Sequence, residues 1–171
     1  MKRPKSDEYL SYYHQYIEKV PEGDPLAFLK TQSVSTQIAL SKIPQEKATF
    51  AYAEGKWTIN ELIGHMIDTE RVMAMRALAF SRKDQTEMPG FDHDIYVKNG
   101  NFNARPLRGL SAEFGIVRSS TISLFSGMTE EMTTFIGTAS GGKVSVRALC
   151  YIILGHENHH MKVLKEKYLN V

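Results

Sequence analysis

The residues best placed to do chemistry are the histidines of residues 155–161, G-H-E-N-H-H-M. His156 and His160 are four apart. On a helix of ~3.6 residues per turn, such positions stand one above the other on one face, so both imidazoles can reach a single divalent ion. The string also fits H-E-x-x-H, in which two helical histidines bind zinc and the glutamate, here Glu157, serves as general base. Common proteases of that type take a third ligand from downstream. After His160 the only acid is Glu166, which at i+6 points away from the metal face. The third ligand must therefore come from upstream, and a protease is disfavoured. The alternative is that the histidines form a solvated polar patch.

Such a pair needs helices to position it, and the sequence supplies them with clear ends. Residues 7–20, with four tyrosines at Tyr9, Tyr12, Tyr13 and Tyr16, read as a helix that Pro21 and Gly23 terminate. Asp24 before Pro25 is an N-cap acid followed by proline at the first helical position. The second helix then runs to about Ile43, with Leu26, Leu29, Val34, Ile38 and Leu40 on its apolar face. Thr58 to Glu61 form a capping box, and Trp57 with Leu62 is placed as a hydrophobic staple, which opens a third helix running to about Lys83. Over residues 84–110 the periodicity dissolves. So long an irregular connection is expected to be either a site wall, offering Asp92 and His93 to a substrate, or a plain crossover. A fourth helix is expected over residues 111–126 with Ser111 as cap, a short one over 129–136, a turn over 137–143, and a last helix from Ser145 to about Leu169. No β-hairpin is expected. The pattern implies an all-α chain, an antiparallel helix bundle formed as one domain over residues 1–171, with residues 1–23 as a peripheral N-terminal helix.

The third ligand is open at this point among His14, His65, His93 and His159. In the last helix, Leu149, Ile153, Val163 and Leu164 fall within roughly 80° of His156, so the ligand pair points into the bundle. His159 lies at the edge of that face, as a rim residue or a support for the ligands. His65 shares an inward stripe with Thr58, Leu62, Thr69 and Val72. One inward histidine is ordinarily a hydrogen-bonded core residue, but three imidazoles in one interior are costly to bury without a shared purpose. Asp68, one turn past His65, is either the orienter of a ligand imidazole or a solvated acid. The capping box already explains Glu61. Cys150 lies off the metal face and reads as a buried structural thiol.

A net charge of +2 leaves no electrostatic footprint for DNA or RNA. The apolar run at residues 148–154 is far short of the ~20 residues a membrane span needs, and no secretory signal opens the sequence. Neither nucleic acid nor membrane is expected as a partner. A single cysteine excludes an internal disulfide and points to a reducing cytoplasm. The tyrosine-rich first helix either covers the bundle or mediates a homodimer.

Three segments together carry a resemblance: W-T-I-N-E-L-I-G-H-M-I-D-T-E-R at residues 57–71, P-G-F-D at 89–92, and V-S-V-R-A-L-C-Y-I-I-L-G-H-E-N-H-H at 144–160. From about Asp24 onward the chain resembles the DinB/YfiT-like superfamily of metalloenzymes. The resemblance implies a four-helix bundle carrying one divalent metal, zinc or nickel, on three histidines. Carried over by position, these are His65, His156 and His160. It implies no DNA binding. Three ligands leave a coordination position open, as in catalytic rather than closed structural sites. That position can lower the pKa of a water to about 7 or hold a thiolate. Some relatives look like metal-dependent hydrolases; others transfer a low-molecular-weight thiol such as bacillithiol, mycothiol or glutathione to small electrophiles. The long central loop favours thiol transfer, with hydrolysis as the alternative. A third reading is a non-enzymatic, metal-stabilised binding domain, in which His14 or His93 would close the site.

Overall fold

A computed structural model of the protein describes residues 1–169. Its bundle consists of four long helices, α2 (Pro25–Ser41), α3 (Ile59–Ser81), α5 (Leu107–Ser126) and α7 (Val146–Val163). Short helices α1 (His14–Ile17), α4 (His93–Asn99) and α6 (Glu130–Thr133) sit in the connections, with an antiparallel pair of strands, β1 (Ile136–Ala139) and β2 (Gly142–Ser145). Helix α3 packs against α5 and α7, and α2 packs against the same two. None of the described helices is long and apolar enough to cross a membrane.

The long helices start where their capping chemistry dictates. Asp24 accepts from Leu26 N at 3.1 Å. Thr58 and Glu61 exchange side-chain and backbone bonds at 2.8 and 3.2 Å. Ser145 accepts from Ala148 N at 3.1 Å. Each bond satisfies a backbone donor that the first helical turn leaves unpaired.

Elsewhere the structure departs from the expected pattern. The first helix is broken into 3₁₀ turns at Ser6–Glu8 and Ser11–Tyr13, followed by α1. The break has a long-range cause, because Glu8 turns inward to accept from Ser145 Oγ and Arg147 Nε, each at 2.7 Å. Val34 and Ile38 of α2 are exposed, while Ser33 and Thr36 are buried between the core residues Leu29 and Leu40, because the middle of this helix faces polar groups that include Glu157. Residues 84–110 are largely structured. Asp92 caps α4, a 3₁₀ turn follows at Phe102–Ala104, and α5 begins at Leu107, ahead of Ser111, where Gln45 Oε1 accepts from Leu107 N at 2.9 Å.

The expected turn at 137–143 is a β-hairpin pairing Ile136 with Ser145 and Ala139 with Gly142. Its two-residue loop puts Ser140 and Gly141 at φ of 54° and 75°, the left-handed geometry such hairpins require. Ordinary residues around the loop hid it from the sequence. Met88 joins the hairpin edge through Met88 N to Thr138 O at 2.9 Å and Ser140 N to Met88 O at 3.0 Å. The central connection is thereby pinned beside the end of α3.

Two apolar clusters fill the interior. The first gathers the N-terminal segment, the hairpin, Phe80, Phe125 and residues 148–154 of α7; the second gathers the start of α3, Phe102, Phe114, Leu164 and Tyr168. His156 and His160 occupy the stretch of α7 between these contributions.

Candidate metal centre

Helices α3 and α7 bring three imidazoles to one point. His156 Nε2 stands 3.0 Å from His65 Nε2 and 3.0 Å from His160 Nε2. All three ligand atoms lie within 4.8 Å of one another, and all three residues are buried. Zn–N bonds of about 2.0–2.1 Å place two nitrogens of a tetrahedral site about 3.3 Å apart, so the spacing fits one small cation. The donor chemistry fits as well. A ring nitrogen has a single in-plane position, holding either a proton or a lone pair, so His156 Nε2 cannot make good hydrogen bonds to both neighbours. Burial, with repulsion from neighbouring imidazoles, holds His65 down to about 4 and His160 down to about 2, and keeps His156 far below the ordinary histidine value. Near neutral pH the three rings are uncharged and their lone pairs are available.

Each ligand-bearing helix has a glycine directly before its histidine. A Cβ on Gly64 would meet the Phe102 ring at 2.4 Å, and one on Gly155 would meet the Tyr16 carbonyl oxygen at 2.1 Å. These gaps let the connection after α4 and the N-terminal segment close over the site. The Tyr16 ring stands edge-on to His156 and His159, with centroids 5.5 and 5.6 Å apart. Beyond the imidazoles opens a cavity of about 470 Å³, walled by Tyr12, Tyr16, Trp57 and Phe91 among others, with no acidic side chain, lysine or arginine among the described residues of its lining. The tyrosine-rich segment thus covers the site.

The remaining residues singled out in the sequence divide. His93 reaches the cavity from the first turn of α4, its ring centroid 5.6 Å from His65 and 5.7 Å from Trp57, and it is half exposed. His159 is half-buried at the rim, edge-on to His160. His14 lies elsewhere, bonded to the Tyr9 hydroxyl at 3.1 Å. Asp92 spends its carboxylate on the backbone of Asp94 and Ile95 and does not line the cavity. Asp68 pairs with Arg71 at 3.5 Å; the hydroxyl nearest His65 Nδ1 is instead that of Thr69, at 3.5 Å. Cys150 is fully buried, and burial pushes its thiol up to about 12.

Glu157, a candidate general base from the H-E-x-x-H spacing, is held in a buried ion network. It is 3% exposed, accepts from Thr36 Oγ1 at 2.5 Å and pairs with Arg118 Nη1 at 2.6 Å. Arg118 also binds both oxygens of Glu70 at 2.8 Å. Burial raises the Glu157 carboxyl, with Arg118 opposing the rise, and the group faces away from the cavity into this ion network. Sequence reasoning missed Arg118 and Glu70. The available signal was weak: a charged residue on the inward stripe of each of two amphipathic helices.

Comparison with known proteins agrees with this architecture. The chain is 25% identical over 156 residues to a protein of Oceanobacillus iheyensis named as a putative metal-dependent hydrolase, covering 88% of this chain and 89% of that one. Among solved structures it is similar to YfiT of Bacillus subtilis, described as 'a probable metal-dependent hydrolase with an unusual four-helix bundle topology'; the TM-score is 0.76 at 12% identity, covering 99% and 93% of the two chains. A mycothiol-dependent maleylpyruvate isomerase gives a TM-score of 0.68 at 13% identity over 85% of this chain and 61% of that one. A DinB-like protein of Bacillus subtilis gives 0.64 at 18% identity, covering 86% and 91%. The sequence profile of the DinB superfamily matches residues 28–164, which take in the histidines of both α3 and α7. The chain belongs to the DinB superfamily.

Proposed function

We propose that His65, His156 and His160 hold one divalent ion, zinc or nickel, and that the protein transfers a low-molecular-weight thiol to a small electrophile in the cytoplasm. One observation carries this reading: the cavity beside the imidazoles is rich in aromatic rings and, among the described residues, has no carboxylate in its lining to serve as general base. The nearest acid on α7, Glu157, is occupied by Arg118 and Thr36. A thiol, with a pKa of about 8.5, can lose its proton to solvent without a dedicated base, and an ion held by the three histidines would supply Lewis acidity that favours the thiolate. The chain's own residues do the rest. The three neutral imidazoles present their Nε2 lone pairs, the Thr69 hydroxyl stands beside His65 Nδ1, and Tyr16, Trp57 and Phe91 exclude water and offer flat surfaces to an apolar electrophile. The isomerase named as mycothiol-dependent, which shares the fold, supports the same chemistry.

Hydrolysis is the second reading, and His93 favours it. This half-exposed imidazole lines the cavity beside His65, where it could take a proton from an attacking water. The hydrolase names of two similar proteins point the same way. The readings separate in one assay on metal-loaded protein. Bacillithiol, mycothiol and glutathione are each offered with chlorodinitrobenzene, and a nitrophenyl ester is offered without thiol. Thiol transfer predicts saturable, thiol-dependent turnover that is lost in His156→Ala. Ester cleavage without thiol, lost in His93→Ala, would replace it with hydrolysis.

A further inference from the structure

Arg76, near the end of α3, is 2% exposed, yet no carboxylate among the described residues pairs with it. Its Nη2 donates to the Pro89 carbonyl at 2.6 Å and to Ser140 Oγ at 3.1 Å, and Nη1 rests on Met73 Sδ at 3.7 Å. Its Nε is buried without any partner. The other deeply buried arginine, Arg118, shows what such a cation normally gathers: two carboxylates, Glu70 and Glu157. A buried charge without a counterion is unfavourable, so Arg76 marks a place where negative charge is wanted.

The surroundings of the guanidinium say where that charge would sit. Met73 and Ser140, which it touches, and Gly90, which follows Pro89, all line the metal cavity. Ser140 Oγ accepts from Arg76, so its own hydroxyl proton is free to be donated into the cavity. The lining itself contains no lysine or arginine that could answer an anion instead. Met73 lies eight residues beyond His65 on the same helix, about 12 Å of axial rise. The arginine side chain leans back over that turn, as helical side chains do.

We propose that Ser140 and Arg76 form an anion anchor at the far end of the cavity. It takes a carboxylate of a ligand whose other end reaches the three histidines. The substrate class is thus an elongated molecule with a carboxylate at one end and, if thiol transfer is the reaction, a thiol at the other. The second clause rests on the proposed function; the anchor itself rests on Arg76, Ser140 and the cavity wall.

A matched pair of probes tests it: mercaptohexanoate and its neutral counterpart mercaptohexanol, titrated into cobalt-substituted protein. Thiolate binding is read from the visible spectrum and affinity by calorimetry. The carboxylate is expected to tighten binding about ten- to a hundredfold in the wild type, the range for a hydrogen bond to a charged group. That margin should collapse in Arg76→Met, survive in part in Arg76→Lys, and shrink in Ser140→Ala. Ser140→Ala leaves the buried charge in place and covers the case in which Arg76→Met does not fold. Equal affinity for the two thiols in wild type overturns the anchor and leaves thiol binding standing. Failure of both to bind overturns the thiol reading and, with it, the substrate class.

Discussion

His156 Nε2 is shared between His65 and His160 at 3.0 Å on each side, and no arrangement of protons satisfies all three nitrogens at once. A cation accepts all three lone pairs. Replacing any one of these histidines with alanine should therefore remove the stoichiometric metal that plasma mass spectrometry finds in wild type purified without an affinity tag. A full equivalent retained in His65→Ala would reduce the site to the α7 pair. Acid should oppose the apoprotein in a definite direction. The unfolded chain protonates histidine near 6.5, whereas folded His65 and His160 wait until about 4 and about 2. The folded state therefore binds fewer protons, and stability is full above 6.5 and declines as pH falls below it. A chemical-denaturation midpoint that is flat between pH 7 and 5 would contradict this. Gly155→Ala offers a third test with a sign that decides. In an open helix the change would stabilise by about 1 kcal/mol. Here the new methyl meets the Tyr16 carbonyl, so the expected result is a net loss of about 1–3 kcal/mol and a displaced tyrosine segment, read by thermal melting and tyrosine fluorescence.

At the scale of elements, Arg118 is the tie between the two helices that carry the histidines. From α5 it holds Glu70, five residues after His65, and Glu157, the residue after His156. Arg118→Met would leave two carboxylates buried without a counter-charge, and the expected cost is about 3–5 kcal/mol in urea unfolding, with weaker metal retention. Glu157→Gln keeps the Arg118–Glu70 pair and should cost less. It should also leave the pH profile of turnover unchanged, whereas loss of one limb of that profile would restore Glu157 as a base. The same contacts explain what could be read in advance. The helix starts at Asp24, Thr58 and Ser145 were legible because capping is local, and the His156/His160 pair because i,i+4 spacing fixes a shared face. The role of Glu157 was illegible, since its partner is contributed by another helix. The turn over 137–143 was legible, but its β-hairpin pairing was equally hidden, as left-handed Ser140 is not a residue that advertises a two-residue hairpin loop. The first segment's breakup followed from Glu8 reaching Arg147 and Ser145, a contact no local pattern records.

On the scale of the whole molecule, the three-histidine site is assembled from opposite ends of the sequence. Its roof comes from Tyr12 and Tyr16, its floor from α3 and α7, and its far wall from Gly90 and Ser140. The interactions that lock the roof span most of the chain, with Ser145 and Arg147 separated from Glu8 by 137 and 139 residues. During synthesis the tyrosines leave the ribosome long before the α7 histidines exist. The roof therefore has nothing to close over until the last helix is made, and an ion cannot be captured on three imidazoles before then. On the proposed reading, metal acquisition would be a post-translational event, set by the supply of free metal facing a finished chain rather than by the rate at which that chain is made.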